Sequence, residues 1–219
     1  MTRGWIDATE PIRDALPAWP GDPSTILRPL APRGPFRVSK LSLSTHAGTH
    51  VDAPRHWRGF RGSVDAIRAD VLAGPAVVAR SRARELVTAD DLAHALERRP
   101  VRLLVRTRNS DNEFADLVRS GRFVALSPDA ALAALRAGVR LLGVDGPSVD
   151  PASSRDWPVH RLFLGAGRVL LEGLRLRAVR AGACELMALP LRLEGGDGAP
   201  ARVFVRAARP AQVARPRGR

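Results

Sequence analysis

The segment from His46 to His56 reads His-Ala-Gly-Thr-His-Val-Asp-Ala-Pro-Arg-His and holds three of the chain's five histidines together with Asp52. Neutral imidazole nitrogens and carboxylate oxygens are donors that suit zinc or manganese, and the two oxygens of Asp52 would let it bridge two ions. A cation held there would make water acidic enough to attack a carbonyl at neutral pH. Downstream, His160 in a proline-containing loop and Glu172 in an apolar run add two more candidate donors. The competing reading is a set of hydrogen-bonded loop histidines. Three of them plus an aspartate in so short a stretch favour the chemical one. His94 stands apart on an expected helix, among charged neighbours, and reads as a surface residue.

These side chains need elements that bring them together. His46 and His50 are four apart, a helical spacing, but Gly48 between them and Pro54 soon after discourage a helix. Val38 to Thr45 alternates in polarity as a strand does, so His46 leaves on its polar face. Gly48 permits a sharp turn, and if the chain is extended again beyond it, His50 and Asp52 share a side. Pro54 then fixes the exit towards His56. Glu172, flanked by Val169, Leu170, Leu171 and Leu174, would be costly to bury unpaired. It either faces water at an edge or joins the upstream donors, and the unpaired donor set favours the second.

The chain has 219 residues, enough for one sizeable core, and its single cysteine, Cys184, excludes an internal disulfide. Cys184 lies among apolar residues and reads as a buried thiol. No apolar run is long enough to cross a bilayer and the N-terminus has no signal-peptide core, so cytoplasm is the expected compartment. The net charge of +13 would suit a nucleic-acid binder. However, the basic residues are spread along the chain, Lys40 is the only lysine and tyrosine is absent. That pattern indicates codon bias more than a phosphate-binding surface, and no specific nucleic-acid partner is expected. Only the C-terminal end is locally dense in arginine. Residues 1–209 read as one domain and 210–219 as a disordered basic tail.

Pro11, Pro17, Pro20 and Pro23 forbid regular structure through the twenties. Within that arm, Trp19-Pro-Gly-Asp22 is a turn carrying a large aromatic that either plugs a core or lines a pocket. A short helix is expected from Ser63 to about Asp70, then a strand from Val71 to Ala79. Thr88 caps a helix with Asp90 and Asp91 in its first turn and Arg98 and Arg99 at its end. A strand over Val101–Thr107, a helix over Asp111–Ser120 and a strand over Phe123–Leu126 follow. Ser127-Pro128 opens a helix to Arg136, and Val139–Val144 is a buried strand. Asp145 to His160 is expected as a loop at that strand's end. Arg168–Leu174, Glu185–Leu193 and Ala201–Arg206 read as further strands. The fold class is therefore α/β, with a mixed sheet and a β-rich C-terminal part.

The complete His-x-Gly-Thr-His-x-Asp-x-Pro-x-His pattern of His46–His56 resembles the cyclase-like metal-dependent hydrolase family, which includes bacterial kynurenine formamidases (arylformamidases) and isatin hydrolases. Trp19-Pro-Gly-Asp, Gly74-Pro-Ala-Val-Val, Leu126-Ser-Pro, Pro158-Val-His160, Leu171-Glu-Gly and Gly196-Asp-Gly-Ala-Pro-Ala-Arg extend the resemblance over nearly the whole chain. It implies that His46, His50 and Asp52 bind one metal and that Asp52, His160 and Glu172 bind a second. Zinc is the expected ion and manganese the alternative. His56 is implied as the proton donor and acceptor, and Trp19 as the aromatic that lines the substrate site. The implied fold is a swivelling β/β/α domain, usually dimeric, so a homodimer or higher homo-oligomer is expected, with the N-terminal arm at the subunit interface. The implied reaction is hydrolysis of a C–N amide, with an aryl formamide such as N-formylkynurenine as first substrate and an isatin-like lactam or other cyclic amide as second. The alternative is a catalytically silent metal-binding protein, against which a free acid–base group at His56 argues.

Overall fold

The computed structural model describes residues 4–32 and 34–208. Four short strands come first: β1 (Ile6–Asp7), β2 (Ile26–Pro29), β3 (Ser39–Ser42) and β4 (His50–Asp52). The middle of the chain alternates, with helix α1 (Ala69–Leu72), strands β5 (Ala73–Arg80) and β6 (Leu86–Val87), helix α2 (Ala89–Leu96), strand β7 (Arg102–Arg106), helix α3 (Phe114–Ser120) and strand β8 (Ala125–Leu126). Helix α4 (Pro128–Arg136), strand β9 (Leu141–Val144), helix α5 (Pro158–Gly165) and strands β10 (Val169–Glu172), β11 (Gly182–Pro190) and β12 (Gly198–Ala207) complete it.

The main sheet runs β1-β12-β11-β5-β7-β9-β10-β4, and β4 also pairs with β12, so the strands from β12 round to β4 close on themselves as a barrel. Closure leaves few open backbone edges. The pairs β5–β7, β7–β9 and β9–β10 are parallel, as helical crossovers require. The remaining contacts between barrel strands are antiparallel. The expected α/β class with a mixed sheet and a β-rich C-terminal part is what the chain adopts, consistent with a swivelling β/β/α domain.

Alternation along the strands divides the core in two. Ala76, Val78, Leu104, Leu141, Val169, Leu171, Leu186, Ala199 and Val203 fill one cluster, drawn from around the barrel. Their strand neighbours Val77, Ala79, Leu103, Val105, Leu142, Val144 and Leu170 pack instead against Leu92 of α2, Ala130, Ala131 and Ala134 of α4, and Val159, Phe163 and Leu164 of α5. Strands with apolar residues on both faces read as continuous apolar runs for this reason. Val51 belongs to the barrel cluster. His50 and Asp52, on either side of it, therefore point to the opposite face.

Several local expectations shift. The alternating run Val38–Thr45 forms a strand only over β3, and it pairs with β2 in the stretch where prolines seemed to forbid structure. Pro29 is tolerated because it ends the strand. The helix expected from Ser63 breaks into a 3-10 turn at Val64–Ala66 and the single turn of α1, and β5 starts at Ala73 instead of Val71. The helix expected from Asp111 begins as a 3-10 turn over Arg108–Asp111, because Thr107 and Asp145 side chains accept the Asn109 and Ser110 amides before α3 starts. Thr88 and Ser127 cap α2 and α4 as read, Thr88 in a reciprocal capping box with Asp91. His94 is exposed on α2. Cys184 is buried, and burial, with the Glu185 charge adding, pushes its thiol up to about 12. The tail proposed at 210–219 lies outside the described residues.

The break between α1 and β5 has a specific cause. Arg102, 4% exposed at the start of β7, donates from Nε to the Val71 carbonyl at 2.9 Å, from Nη1 to Pro75 at 2.9 Å and from Nη2 to the Asp70 carbonyl. A buried guanidinium thus satisfies carbonyls left open where the helical turn stops. Arg102→Leu strands those carbonyls and should lower unfolding stability by about 3 kcal/mol. Urea denaturation monitored by tryptophan fluorescence checks this; a midpoint equal to the wild type would show that water replaces the guanidinium without cost.

Candidate metal centre

The six residues singled out between His46 and Glu172 come together at one place. His46 sits in the turn before β4, His50 and Asp52 on β4, and His56 at the end of a 3-10 turn over Pro54–His56. Glu172 ends β10, which pairs antiparallel with β4 so that Glu172 faces His50 and Leu170 faces Asp52. Glu172 is therefore a buried cross-strand partner and not an edge residue facing water. The turn depends on two glycines. Gly48 adopts φ +63° and Gly173 φ +68°, and a Cβ on Gly173 would lie 2.4 Å from the Gly48 carbonyl oxygen. Thr49 Oγ1 donates to the Gly173 carbonyl across this contact at 2.5 Å, which ties the end of β10 to the histidine turn.

His160 departs from expectation. It lies in the first turn of α5, not in a loop. Pro158 presets the helical start, but the cap comes from nine and ten residues upstream: Asp150 accepts the Val159 amide at 3.0 Å and the His160 amide at 3.0 Å. A cap so distant in sequence has no local signature. The same carboxylate accepts from His160 Nδ1 at 2.7 Å. His160 Nε2 is thereby left facing Glu172 Oε1 at 3.3 Å and Asp52 Oδ2 at 3.6 Å.

His50 is held the same way. Its Nδ1 donates to the Gly48 carbonyl at 3.1 Å, and its Nε2 faces Asp52 Oδ1 at 3.3 Å and Glu172 Oε2 at 3.4 Å. His46 uses its nitrogens in the opposite sense, with Nδ1 2.8 Å from Asp52 Oδ1 and Nε2 3.1 Å from Asp197 Oδ2. Asp150 and Asp197 were not singled out as site residues in the sequence. Asp197 stands within the Gly196-Asp-Gly-Ala motif, which was the available signal. Asp150 offered none, since its partners are set by the packing of α5.

Asp52 is fully buried, and its Oδ2 has no hydrogen-bond partner. A buried carboxylate oxygen without a donor is expensive. Donors that share a cation through bonds of roughly 2.0–2.2 Å stand about 3–3.5 Å apart, close to the spacings around Asp52. His50, Asp52 and Glu172 present ligand atoms within 4.8 Å of one another, and so do His46, Asp52 and His56. The residues fit one or two divalent ions. Without a cation, the charges settle among themselves. Burial lowers His46 and His50, but hydrogen bonds and charges from Asp197 and Asp52, and from Asp52 and Glu172, outweigh it and raise them to about 9 and about 10. Burial works against the Asp52 carboxylate, but the surrounding histidines hold it well below its usual range. His56 alone among the centre's histidines is pushed down, by burial first and by the His46 and His160 charges, against the pull of Asp52 and Glu172.

The centre forms the floor of a cavity of about 280 Å³ whose walls include Trp19, Trp57 and Trp157. Trp19 meets Trp157 edge-on at 5.8 Å and Phe123 at 6.3 Å, so it both lines the pocket and packs against neighbours. Trp157 holds a left-handed backbone, φ 44° and ψ 58°, immediately before α5. Bulky residues rarely accept that conformation, and such strain tends to sit at functional sites. Among the described residues no lysine or arginine lines this cavity, despite the chain's net charge of +13.

A barrel presenting histidines and carboxylates to one point beneath an aromatic pocket has the parts that a metal-dependent hydrolase needs. The family model described as "Putative cyclase" matches residues 6–151, and the chain belongs to that family. A kynurenine formamidase of Salinibacter ruber is 38% identical over 209 residues, covering 92% of this chain and 96% of its own. The solved structure of a potential metal-dependent hydrolase with cyclase activity superposes with a TM-score of 0.79 at 28% identity, over 94% of this chain and 99% of its own. Isatin hydrolase A from Labrenzia aggregata shares the fold with a TM-score of 0.82 at 24% identity, over 94% of each chain.

Asp150 generates a test of this geometry. Asp150→Ala removes both the cap of α5 and the partner of His160 Nδ1. It should cost about 2 kcal/mol of stability and weaken metal binding by roughly 10- to 100-fold. Competition with a metallochromic chelator measures the second effect, and unchanged affinity would mean that Asp150 serves the helix alone.

Proposed function

We propose that this protein hydrolyses an aryl formamide of the N-formylkynurenine type at the centre built on Asp52. The chain is a metal-dependent amidohydrolase acting on a small molecule. The observation that carries the reading is the convergence of His46, His50, His160 and Glu172 on the buried, partly unpartnered Asp52, beside the differently disposed His56. His46, His50 and Asp52 would hold one ion, and Asp52, His160 and Glu172 a second. Zinc fits the imidazole and carboxylate donors, and manganese is the alternative. Such an ion supplies a nucleophile at neutral pH and polarises the amide carbonyl.

The protein's own groups do the rest. Trp19, Trp57 and Trp157 give an aryl group flat apolar walls and keep bulk water from the floor. His56 reaches the pocket from its own turn, with no hydrogen bond to another side chain among the described residues and its Nδ1 3.8 Å from Asp197. It is placed to take the proton of the attacking water and deliver it to the departing nitrogen. An aniline nitrogen leaves poorly without that proton.

Metal removal and His56 substitution test the assignment together. A chelator should abolish hydrolysis of an aryl formamide and added zinc should restore it, whereas full turnover by metal-free protein would end the mechanism. His56→Ala should keep its metal stoichiometry while kcat falls by roughly 10²- to 10⁴-fold. Loss of metal would make His56 a ligand. Assaying isatin in parallel decides between formamide and lactam.

We further propose a cytoplasmic homodimer of domains spanning residues 1–209. Among the described residues no helix is long and apolar enough to cross a membrane. Every residue of β2 and β3 is exposed, Leu27 and Leu41 directly opposite each other at 37% and 49%, with Phe36 nearby at 70%. Apolar side chains left open to water along this hairpin, Ile26, Leu27, Val38 and Leu41 among them, support burial against a second subunit. Light scattering should give twice the chain mass for the wild type and the single chain mass for the double variant Leu27→Lys, Leu41→Lys; a wild-type monomer would sink the proposal.

A further inference from the structure

Asp197 has a position that the two other outward partners of the centre's histidines do not share. It lies between Gly196 and Gly198 in the connection from β11 to β12, and its peptide is pinned to the site: Ala53 donates to the Asp197 carbonyl at 2.9 Å and Val64 to the Gly196 carbonyl at 2.9 Å. Thr45 Oγ1 donates to Asp197 Oδ1 at 3.1 Å, which orients the carboxylate. Its other oxygen, Oδ2, is 3.1 Å from His46 Nε2 and 3.8 Å from His56 Nδ1, and the two rings lie 4.0 Å apart. Gly198 permits this approach, since a Cβ there would lie 2.7 Å from His46 Cε1.

With a cation at Asp52, His46 keeps one proton, and the Asp197 contact holds it on Nε2. The lone pair that His46 then turns towards Asp52 is on Nδ1, whereas His50 and His160 turn Nε2 inward. The same oxygen also faces His56 Nδ1, at 3.8 Å and so beyond hydrogen-bond distance. If its Nδ1–H points to Asp197, its Nε2 is the nitrogen that exchanges protons with the substrate. One carboxylate, delivered by the β11–β12 connection, thus holds His46 and faces His56.

We propose that Asp197 is a positioning residue shared by His46 and His56: it selects Nδ1 of His46 as a metal donor and aims Nε2 of His56 into the pocket. The proposal rests on the metal-hydrolase reading given above. It ties the β11–β12 connection to a histidine segment that begins 151 residues earlier, at His46. It also gives the Gly196-Asp-Gly motif a chemical reason.

Asp197→Leu and Asp197→Asn separate this role from a structural one. Asn can set its one oxygen to accept from His46 Nε2 while its NH2 donates to the Thr45 hydroxyl, whereas Leu keeps only the shape. Zinc affinity measured by chelator competition should fall roughly 10- to 100-fold in the Leu variant and recover most of that loss in the Asn variant. This readout needs no turnover, so it remains informative if the formamide assignment is wrong. At saturating zinc, kcat for an aryl formamide should still fall at least tenfold in the Leu variant, and by less for an activated ester whose leaving group needs no proton. Wild-type zinc affinity in the Leu variant, or equal losses in the Leu and Asn variants, would overturn the His46 role. Equal kcat losses on amide and ester would overturn the His56 role. If the Leu variant does not fold, as judged by circular dichroism, the Asn variant decides: zinc affinity reduced tenfold or more there would overturn the proposal.

Discussion

The burial of the Asp52 carboxylate is the constraint on which the rest of this structure depends. Removing a carboxylate from water costs several kcal/mol even after the protein relaxes, and only positive charge or hydrogen-bond donors at close range offset that. Asp52 has no such donor on one of its oxygens, and the groups that crowd it are three imidazoles and another carboxylate. A second buried acid beside the first makes sense only where cationic charge belongs between them. The barrel pairs β4 with β10 in the one register that brings Glu172 opposite His50. A slip of one residue would leave the two side chains on opposite faces of the sheet.

That requirement explains where the centre lies. The interior face of the barrel is filled by small and branched apolar side chains and leaves no room for polar groups. The opposite face of β4 and β10 meets the start of α5, and there the helix contributes His160 with its outward nitrogen already held by Asp150. Each inward-facing histidine is supported from behind, by a carbonyl for His50 and by carboxylates for His160 and His46. Supports of this kind set ring orientation and tautomer before any ion arrives, which lowers the entropic cost of binding it.

The pocket above continues the same division of labour. Aromatic walls drawn from three distant segments, the arm at Trp19, the turn after His56 and the start of α5, enclose a floor that is polar and buried. Trp157 holds its strained backbone where the pocket wall and the α5 cap meet, so the helix that supplies His160 also supplies part of the wall. The cavity therefore combines an apolar surface with a few polar groups that can handle protons.

The amino-acid sequence by itself determined the ligand chemistry. Histidines and an acid at His46–His56, with Gly48 forbidding a helix, specify a turn and a strand that bring His50 and Asp52 to one side, and helix caps such as Thr88 and Ser127-Pro128 are local enough to be read directly. Continuous apolar runs likewise marked barrel strands such as β7 and β9, because both of their faces are buried. What tertiary structure alone decided depends on contacts between residues distant in the chain. His160 is helical because a carboxylate ten residues upstream caps it, Glu172 is buried because β10 pairs with β4, and α1 stops where Arg102 of a later strand takes its carbonyls. The support of His46 by Asp197 spans 151 residues and exists only once the barrel has closed through the pairing of β12 with β4. Local propensity carries no record of a partner that folding has yet to deliver.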